Sequence, residues 1–231
     1  MRRLAAEHRI GGVHGMLIEL IACDSKFYTA VEVAAANQLF NIVVDDDATA
    51  ARLVALLRKE GGGRATFMPL AQLRAGALPA YPDTQDAISL LSRLRYEPRF
   101  EPAARQVFRK ALVCRNMTVA SRYAKSHELD CLTLDGDTVN RRGALTGGFH
   151  DTTRSRMAAQ AKIAEQRARA DALAVEQAAA HAAALAADQE VSRLLGELQR
   201  AEAQHTRATH VAEQLQICLL YTSPSPRDGL L

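Results

Sequence analysis

Asn41-Ile-Val-Val-Asp-Asp-Asp-Ala-Thr-Ala-Ala-Arg-Leu-Val-Ala-Leu-Leu-Arg-Lys-Glu-Gly-Gly-Gly63 is the stretch that decides the fold. Asn41–Val44 is short, apolar and rich in β-branched residues, which suits a buried strand. Aspartate side chains accept the free N–H groups at a helix start and suit its dipole, so Asp45-Asp46-Asp47 reads as the cap of a helix over Ala48–Glu60. Gly61-Gly62-Gly63 ends that helix. A strand that feeds a capped helix is the repeating unit of a layered α/β domain.

The same logic extends in both directions. Upstream, residues 1–9 (MRRLAAEHR) are charged and helix-prone, and stop at Gly11-Gly12. Met16–Ala22 reads as a strand and the Ala-rich, amphipathic Phe27–Leu39 as a helix. Downstream, Thr66-Phe67-Met68 reads as a strand stopped by Pro69. A connector punctuated by Pro79, Pro82, Pro98 and Pro102 follows. The series then resumes, with a strand at Ala111–Cys114, a helix at Thr118–His127, a strand at Leu129–Leu134 and a turn at Asp135-Gly136. The expected organisation is two α/β halves around a Pro-rich connector.

Residues 151–217 have another character. They lack Pro, their one Gly is Gly196, and they balance eight basic against nine acidic groups. A heptad runs through them. Its a positions are Ile163, Ala170, Gln177, Ala184, Val191, Leu198, His205 and Ala212. Its d positions are Gln166, Leu173, Ala180, Ala187, Leu194, Ala201, Ala208 and Leu215. Thirteen of these sixteen are apolar, which argues for one arm of a coiled coil. Many are only Ala, so each layer buries little area and the helix needs a partner. Cys218–Leu231 breaks the heptad and carries two prolines. That string looks like translated cloning-adaptor sequence and is set aside from fold reasoning.

Chemistry is sparse. Cys23, Cys114, Cys131 and Cys218 form no CxxC pair and no His stands at finger spacing, so neither zinc nor another metal is expected. Three of the cysteines lie in apolar runs as buried thiols, which suits a reducing compartment. No signal peptide and no membrane-length apolar run is expected. Gly143-Ala144-Leu145-Thr146-Gly147-Gly148 lacks the GxxxxGK[ST] and GxGxxG patterns, so it reads as loop or backbone-contact glycines rather than a nucleotide site. His14, His127 and His150 are dispersed, and no catalytic constellation or cofactor site is expected. Residues 91–125 carry nine Lys/Arg against Glu97 and Glu101, a net of +7. Such an excess attracts phosphate backbones, which makes Arg93, Arg95, Arg105, Arg109, Lys110, Arg115, Arg122 and Lys125 candidate DNA contacts.

Several stretches resemble the hinge domain of structural-maintenance-of-chromosomes (SMC) proteins. They are Gly12-Val-His-Gly15, Phe27-Tyr-Thr-Ala-Val-Glu-Val-Ala-Ala-Ala-Asn-Gln-Leu-Phe40, Thr66-Phe-Met-Pro-Leu70, Tyr81-Pro-Asp-Thr-Gln-Asp-Ala-Ile88 and Leu94-Arg-Tyr-Glu-Pro-Arg-Phe100. The most specific is Asp135-Gly-Asp-Thr-Val-Asn-Arg-Arg-Gly-Ala-Leu-Thr-Gly-Gly-Phe-His-Asp151. The resemblance covers about residues 10–155, and Leu94–Phe100 points to the cohesin branch of the family. It implies an α+β hinge of two pseudo-twofold-related α/β halves followed by a long coiled-coil helix. On that basis residues 1–9 are the end of an ascending helix, 10–152 the hinge dimerisation domain and 153–217 the start of the descending coil. The resemblance implies a heterodimer with the hinge of the first family member, other cohesin subunits as further partners, and a nuclear, chromosomal address. It places the dimer contact at Gly143, Ala144, Leu145, Gly147 and Gly148. The family's ATPase head has no motif in these residues, so a non-enzymatic fragment is expected. A sequence-independent nucleic-acid-binding module using residues 91–125 is the alternative, and an α/β enzyme with an unrecognised site the third reading.

Overall fold

The computed structural model describes residues 2–74, 76–149 and 151–222. The chain divides into two units, Met1–Arg167 and Ala168–Leu231. In the first unit α1 (Arg2–Glu7) leads into β1 (Val13–Met16), α2 (Leu17–Leu20), α3 (Tyr28–Ala35), β2 (Ile42–Val44), α4 (Asp47–Lys59) and β3 (Phe67–Pro69). The second half continues with β4 (Ala87–Ser89), α5 (Glu101–Phe108), β5 (Ala111–Cys114), α6 (Met117–His127), β6 (Asp130–Leu132), β7 (Thr138–Val139) and β8 (Leu145–Thr146). The long helix α7 (Arg156–Thr222) follows.

The two sheets share a plan. In the order β1-β2-β3, β1 is antiparallel to β2, and α4 carries the chain across to β3, parallel to β2. In the order β4-β5-β6-β7-β8, β4 is antiparallel to β5, and α6 carries the chain across to the parallel β6. The second sheet then adds the antiparallel pair β7 and β8.

The halves meet in a reciprocal bridge. Ala22 N donates to Arg95 O at 2.8 Å and Arg95 N donates to Ala22 O at 2.7 Å. Three residues beyond each bridging residue a 3-10 turn begins, Ser25–Phe27 or Pro98–Phe100, and six residues beyond it α3 or α5 begins. Equivalent positions exchanging both bonds define a local twofold, the pseudo-symmetry expected of the fold. One apolar cluster draws on both halves, with Leu17, Phe27, Val31, Leu39 and Val43 against Leu90, Leu94, Phe100, Phe108 and Leu132. The halves therefore share a core instead of each closing its own. Smaller clusters lie under α4 (Ile42, Val44, Leu53) and α6 (Leu112, Cys114, Ala120, Leu129).

The structure corrects several sequence boundaries. Met16–Ala22 is the end of β1 followed by α2, not one strand. Leu17, Ile18 and Ile21 are all buried, and a short apolar run of this kind fits helix and strand periods equally. The Phe27–Leu39 helix breaks at Ala36, whose φ of +46° turns the chain into a 3-10 stretch, Ala36–Phe40. Within the Pro-rich connector region stands α5, with Pro102 in its first turn, where a missing N–H costs nothing. Helix α7 runs past residue 217 to Thr222, and residues 223–231 of the adaptor-like tail lie outside the described residues.

The second unit is the continuation of α7. Every described residue from 168 to 222 is exposed except the half-buried Gly196. Heptad residues Leu173, Val191, Leu194, Leu198 and Leu215 stand open among them. Arg193 pairs with Glu190 at 2.6 Å and with Glu197 at 2.5 Å along the helix surface.

Candidate interface

Strand β8 is the outer edge of the five-stranded sheet. Asn140 N donates to Ala144 O at 3.0 Å and Val139 stands opposite Leu145. Antiparallel pairs alternate between bonded and non-bonded, so the N–H and C=O of Leu145 face away from β7. Leu145 is 62% exposed, and Phe149, just beyond the strand, is 96% exposed. An open edge with apolar side chains is a template for another chain.

The other sheet has an edge of its own at β3. Ile42 N donates to Thr66 O and Leu70 N donates to Val44 O, each at 2.8 Å, so Phe67 and Pro69 face outward. Pro69 has no N–H, and its carbonyl accepts from Gln72 and Leu73 at 3.1 and 3.2 Å. That leaves Phe67 to offer an open backbone donor and acceptor. In the second half the place beside the equivalent strand β6 is taken by β7, where Cys131 stands opposite Val139.

Hydrogen bonds within the domain build the glycine loop. The Asn140 side chain accepts from Arg142 N at 2.9 Å and Ala144 N at 3.0 Å, and Gly143 N donates to Asn140 O at 2.9 Å. Gly143 has φ +87° and Gly148 φ +147°, conformations that suit glycine. A Cβ on Gly147 would run into the Asp137 carboxylate. Gly148 N donates to Asp137 Oδ1 at 3.2 Å, while Asp137 N donates to Thr133 Oγ1 at 3.2 Å. The loop glycines thus shape the hairpin that carries the edge, an internal role the sequence did not separate from a contact role.

The basic segment is partly neutralised. Arg95 lies 3.4 Å from Asp24, Arg105 2.6 Å from Glu101 and Arg115 3.6 Å from Asp86. Arg99 pairs with Glu97 at 2.8 Å. Asp24 and Asp86 lie outside residues 91–125, so the local charge count missed them. Among the described residues, Arg93, Arg109, Lys110, Arg122 and Lys125 have no such carboxylate partner. Residues Arg105 and Arg109 belong to α5 and its end, Arg122 and Lys125 to α6. Among the described residues no group of three His, Cys, Asp or Glu side chains could hold a metal ion, and no helix is long and apolar enough to cross a membrane.

Two open sheet edges, a core shared between pseudo-symmetric halves and an attached helix with an uncovered apolar seam define a protein-pairing module rather than a catalytic domain. The chain belongs to the SMC family: the model of the SMC proteins flexible hinge domain matches residues 10–124. Structural maintenance of chromosomes protein 3 of Arabidopsis thaliana is 42% identical over 216 residues, 94% of this chain and 18% of the relative. The chain therefore spans less than a fifth of that relative's length. A solved structure described as the folded elbow of cohesin matches with a TM-score of 0.84 and 30% identity, over 95% of this chain and 32% of that one. An asymmetric dimer of the Geobacillus stearothermophilus SMC hinge domain matches with a TM-score of 0.62 and 27% identity, over 74% of each chain.

Proposed function

We propose that this chain is the pairing hinge of a cohesin core subunit, in which residues 10–152 dimerise and α7 opens the descending arm of a coiled coil. Its partner is the hinge of the first SMC family member, and the full-length protein serves sister-chromatid cohesion and chromosome organisation in the nucleus together with other cohesin subunits. The observation that carries this reading is the open edge of β8, where Leu145 presents backbone and side chain outward beside the exposed Phe149. Gly143, Ala144, Leu145, Gly147 and Gly148 form the contact. The edge of one chain fits the vacant place beside a β3-type strand at Phe67 of the other. Two such contacts close a twofold pair and leave neither edge open.

Mass measurement of the chain alone and mixed with the first member's hinge tests this. A one-to-one complex is expected. Leu145→Asp places a charge on the edge and should weaken the complex by about a hundredfold, a loss of the size seen at interface hot spots. Since Leu145 is exposed, the thermal midpoint of the free chain stays unchanged. Wild-type affinity in that variant refutes the edge assignment.

A nucleic-acid module built on residues 91–125 is a weaker reading, because Asp24, Asp86, Glu97 and Glu101 pair with four of its nine cations. A minor, sequence-independent DNA contact by Arg93, Arg109, Lys110, Arg122 and Lys125 accompanies the hinge reading. Its affinity should fall steeply between two salt levels, and binding indifferent to salt rules it out.

A further inference from the structure

Among the described residues two polar or charged side chains are buried, Glu32 at 4% exposure and Thr133 at 5%. A buried carboxylate costs too much to persist without partners. Glu32 Oε1 accepts from Ser155 Oγ at 2.6 Å and from Met157 N at 2.9 Å. Those donors are the cap and the second residue of α7, and Ser155 Oγ in turn accepts from Ala158 N at 3.1 Å. A side chain of α3 therefore satisfies one N-terminal amide, and holds the capping serine, of a helix that begins more than a hundred residues later. Met157, itself 3% exposed, drops into the shared core beside this cap.

Thr133 makes the matching tie at the other end. Its amide donates to Asp137 O at 2.9 Å, and its hydroxyl accepts from Asp137 N at 3.2 Å. Asp137 holds Gly148 N next to the β8 edge. Between the two ties, Leu132 of β6 lies in the same cluster as Val31 and Ala35 of α3 and Met157 of α7. The route from edge to helix root is thus continuous: Gly148, Asp137, Thr133, Leu132, α3, Glu32, Met157. Close-packed interiors transmit displacement along such a route instead of absorbing it.

We infer that Glu32 is a latch holding the root of α7 to the hinge, and that a strand seated on the β8 edge tightens this latch through β6 and α3. Glu32 acts as a positioning residue and touches no partner. The coupling rests on the proposed pairing at β8. The latch itself does not.

Amide hydrogen exchange on the full chain, free and with the first member's hinge, tests both parts. In the free chain Glu32→Ala should speed exchange at Met157 about tenfold, the effect of removing one buried acceptor, while Val43 in β2 stays at wild-type rate. Glu32→Gln keeps an acceptor oxygen and should fall between the two. Partner binding should slow exchange at Met157 in the wild type but not in Glu32→Ala. Thr133→Val should keep the wild-type rate at Met157 in the free chain and lose the slowing on binding. Wild-type exchange in free Glu32→Ala overturns the latch. A complex that leaves Met157 unchanged, or slows it equally in Thr133→Val, overturns the coupling alone. Failure to form any complex by mass overturns the pairing and the coupling together, and the free-chain result still decides the latch.

Discussion

Asp46 and Asn116 occupy the same place in the two halves of the hinge. Asp46 accepts from Thr49 N at 2.7 Å at the start of α4, and Asn116 accepts from Val119 N at 2.9 Å at the start of α6. Both have extended backbones, φ −143° and −152°, and both follow a fully buried strand. The two cap bonds are matched in geometry, but the cap of α4 is an ionisable carboxyl and that of α6 an amide, and that difference can be measured.

The Thr49 amide bond holds the Asp46 carboxyl below its usual 3.8, with Arg52 adding to the effect. A depressed carboxyl contributes stability that is present above the unfolded value and lost as pH falls through the folded one. Acidification below about pH 3.8 should therefore raise exchange at the first amides of α4 while the Val119 amide in α6 is spared. Asp46→Asn should reduce that acid sensitivity. Asn116→Ala should cost about 1 kcal/mol at every pH, read by denaturant unfolding. Equal acid sensitivity of the two helix starts contradicts the cap assignment.

How much of this was legible in the sequence depended on how local the cause was. The Val44-Asp45-Asp46 junction with its aspartate cap and the Ala111–Cys114 strand follow from neighbouring residues, and the structure has them, while the Asn116 cap of α6 comes from the structure. Leu17-Ile18 read as strand because burial of adjacent residues erases the period. Strands β7 and β8 have two residues each, too few to carry any pattern. Nothing in Tyr28–Ala35 announces that Glu32 will cap a helix at Met157, 125 residues away. The net of +7 over residues 91–125 is plain in the sequence, but the partners Asp24 and Asp86 arrive through folding. Phe149 belongs to the stretch that resembles the hinge family, and its exposure follows from the placement of β8 at the sheet edge.

Cys23 gives an alkaline counterpart to Asp46. Burial first, then the neighbouring Asp24, pushes its thiol up to about 11 from 9.0, against a smaller opposing pull from Arg95. A raised group contributes stability that is complete below the unfolded value and lost as pH rises toward the folded one. Stability should therefore decline between pH 9.0 and about 11, and Cys23→Ala should shallow that decline. In the native chain at pH 8 a thiol reagent should label Cys218, which is exposed, and spare the buried Cys23, Cys114 and Cys131. Rapid labelling of Cys23 in the folded chain would refute its burial.

The loop glycines predict a result that separates shape from contact. Gly143→Ala forces a Cβ into the left-handed region at φ +87° and should cost about 1–2 kcal/mol. Gly147→Ala meets Asp137 and disturbs the hairpin directly. Both variants should lower the thermal midpoint as well as partner affinity, whereas Leu145→Asp lowers affinity alone. Unchanged midpoints in the glycine variants would show that the hairpin relaxes around an added methyl group and that its internal bonds matter little.

Helix α7 supplies the last test. Its seam beyond residue 167 contains Leu173, Val191, Leu194, Leu198 and Leu215, all exposed, and most of its other layers are Ala. An Ala layer removes little apolar area from water, while ordering each residue costs roughly 1–2 kcal/mol of backbone entropy. The surface pairs of Arg193 with Glu190 and Glu197 are open to solvent and add little, as exposed helix pairs do. The root is better supplied: Glu32 and Ser155 cap it and Met157 is buried. A peptide spanning residues 156–217 has lost those anchors and should be mostly unfolded by circular dichroism at 25 °C. Addition of an antiparallel helix with apolar residues at matching a and d positions should restore helicity, with a midpoint that rises with peptide concentration. In the full chain, exchange protection should be strong at Met157–Ala159 and fade along the helix toward Thr222. A fully helical peptide that melts cooperatively at a concentration-independent temperature would mean that the seam is not the element awaiting a partner.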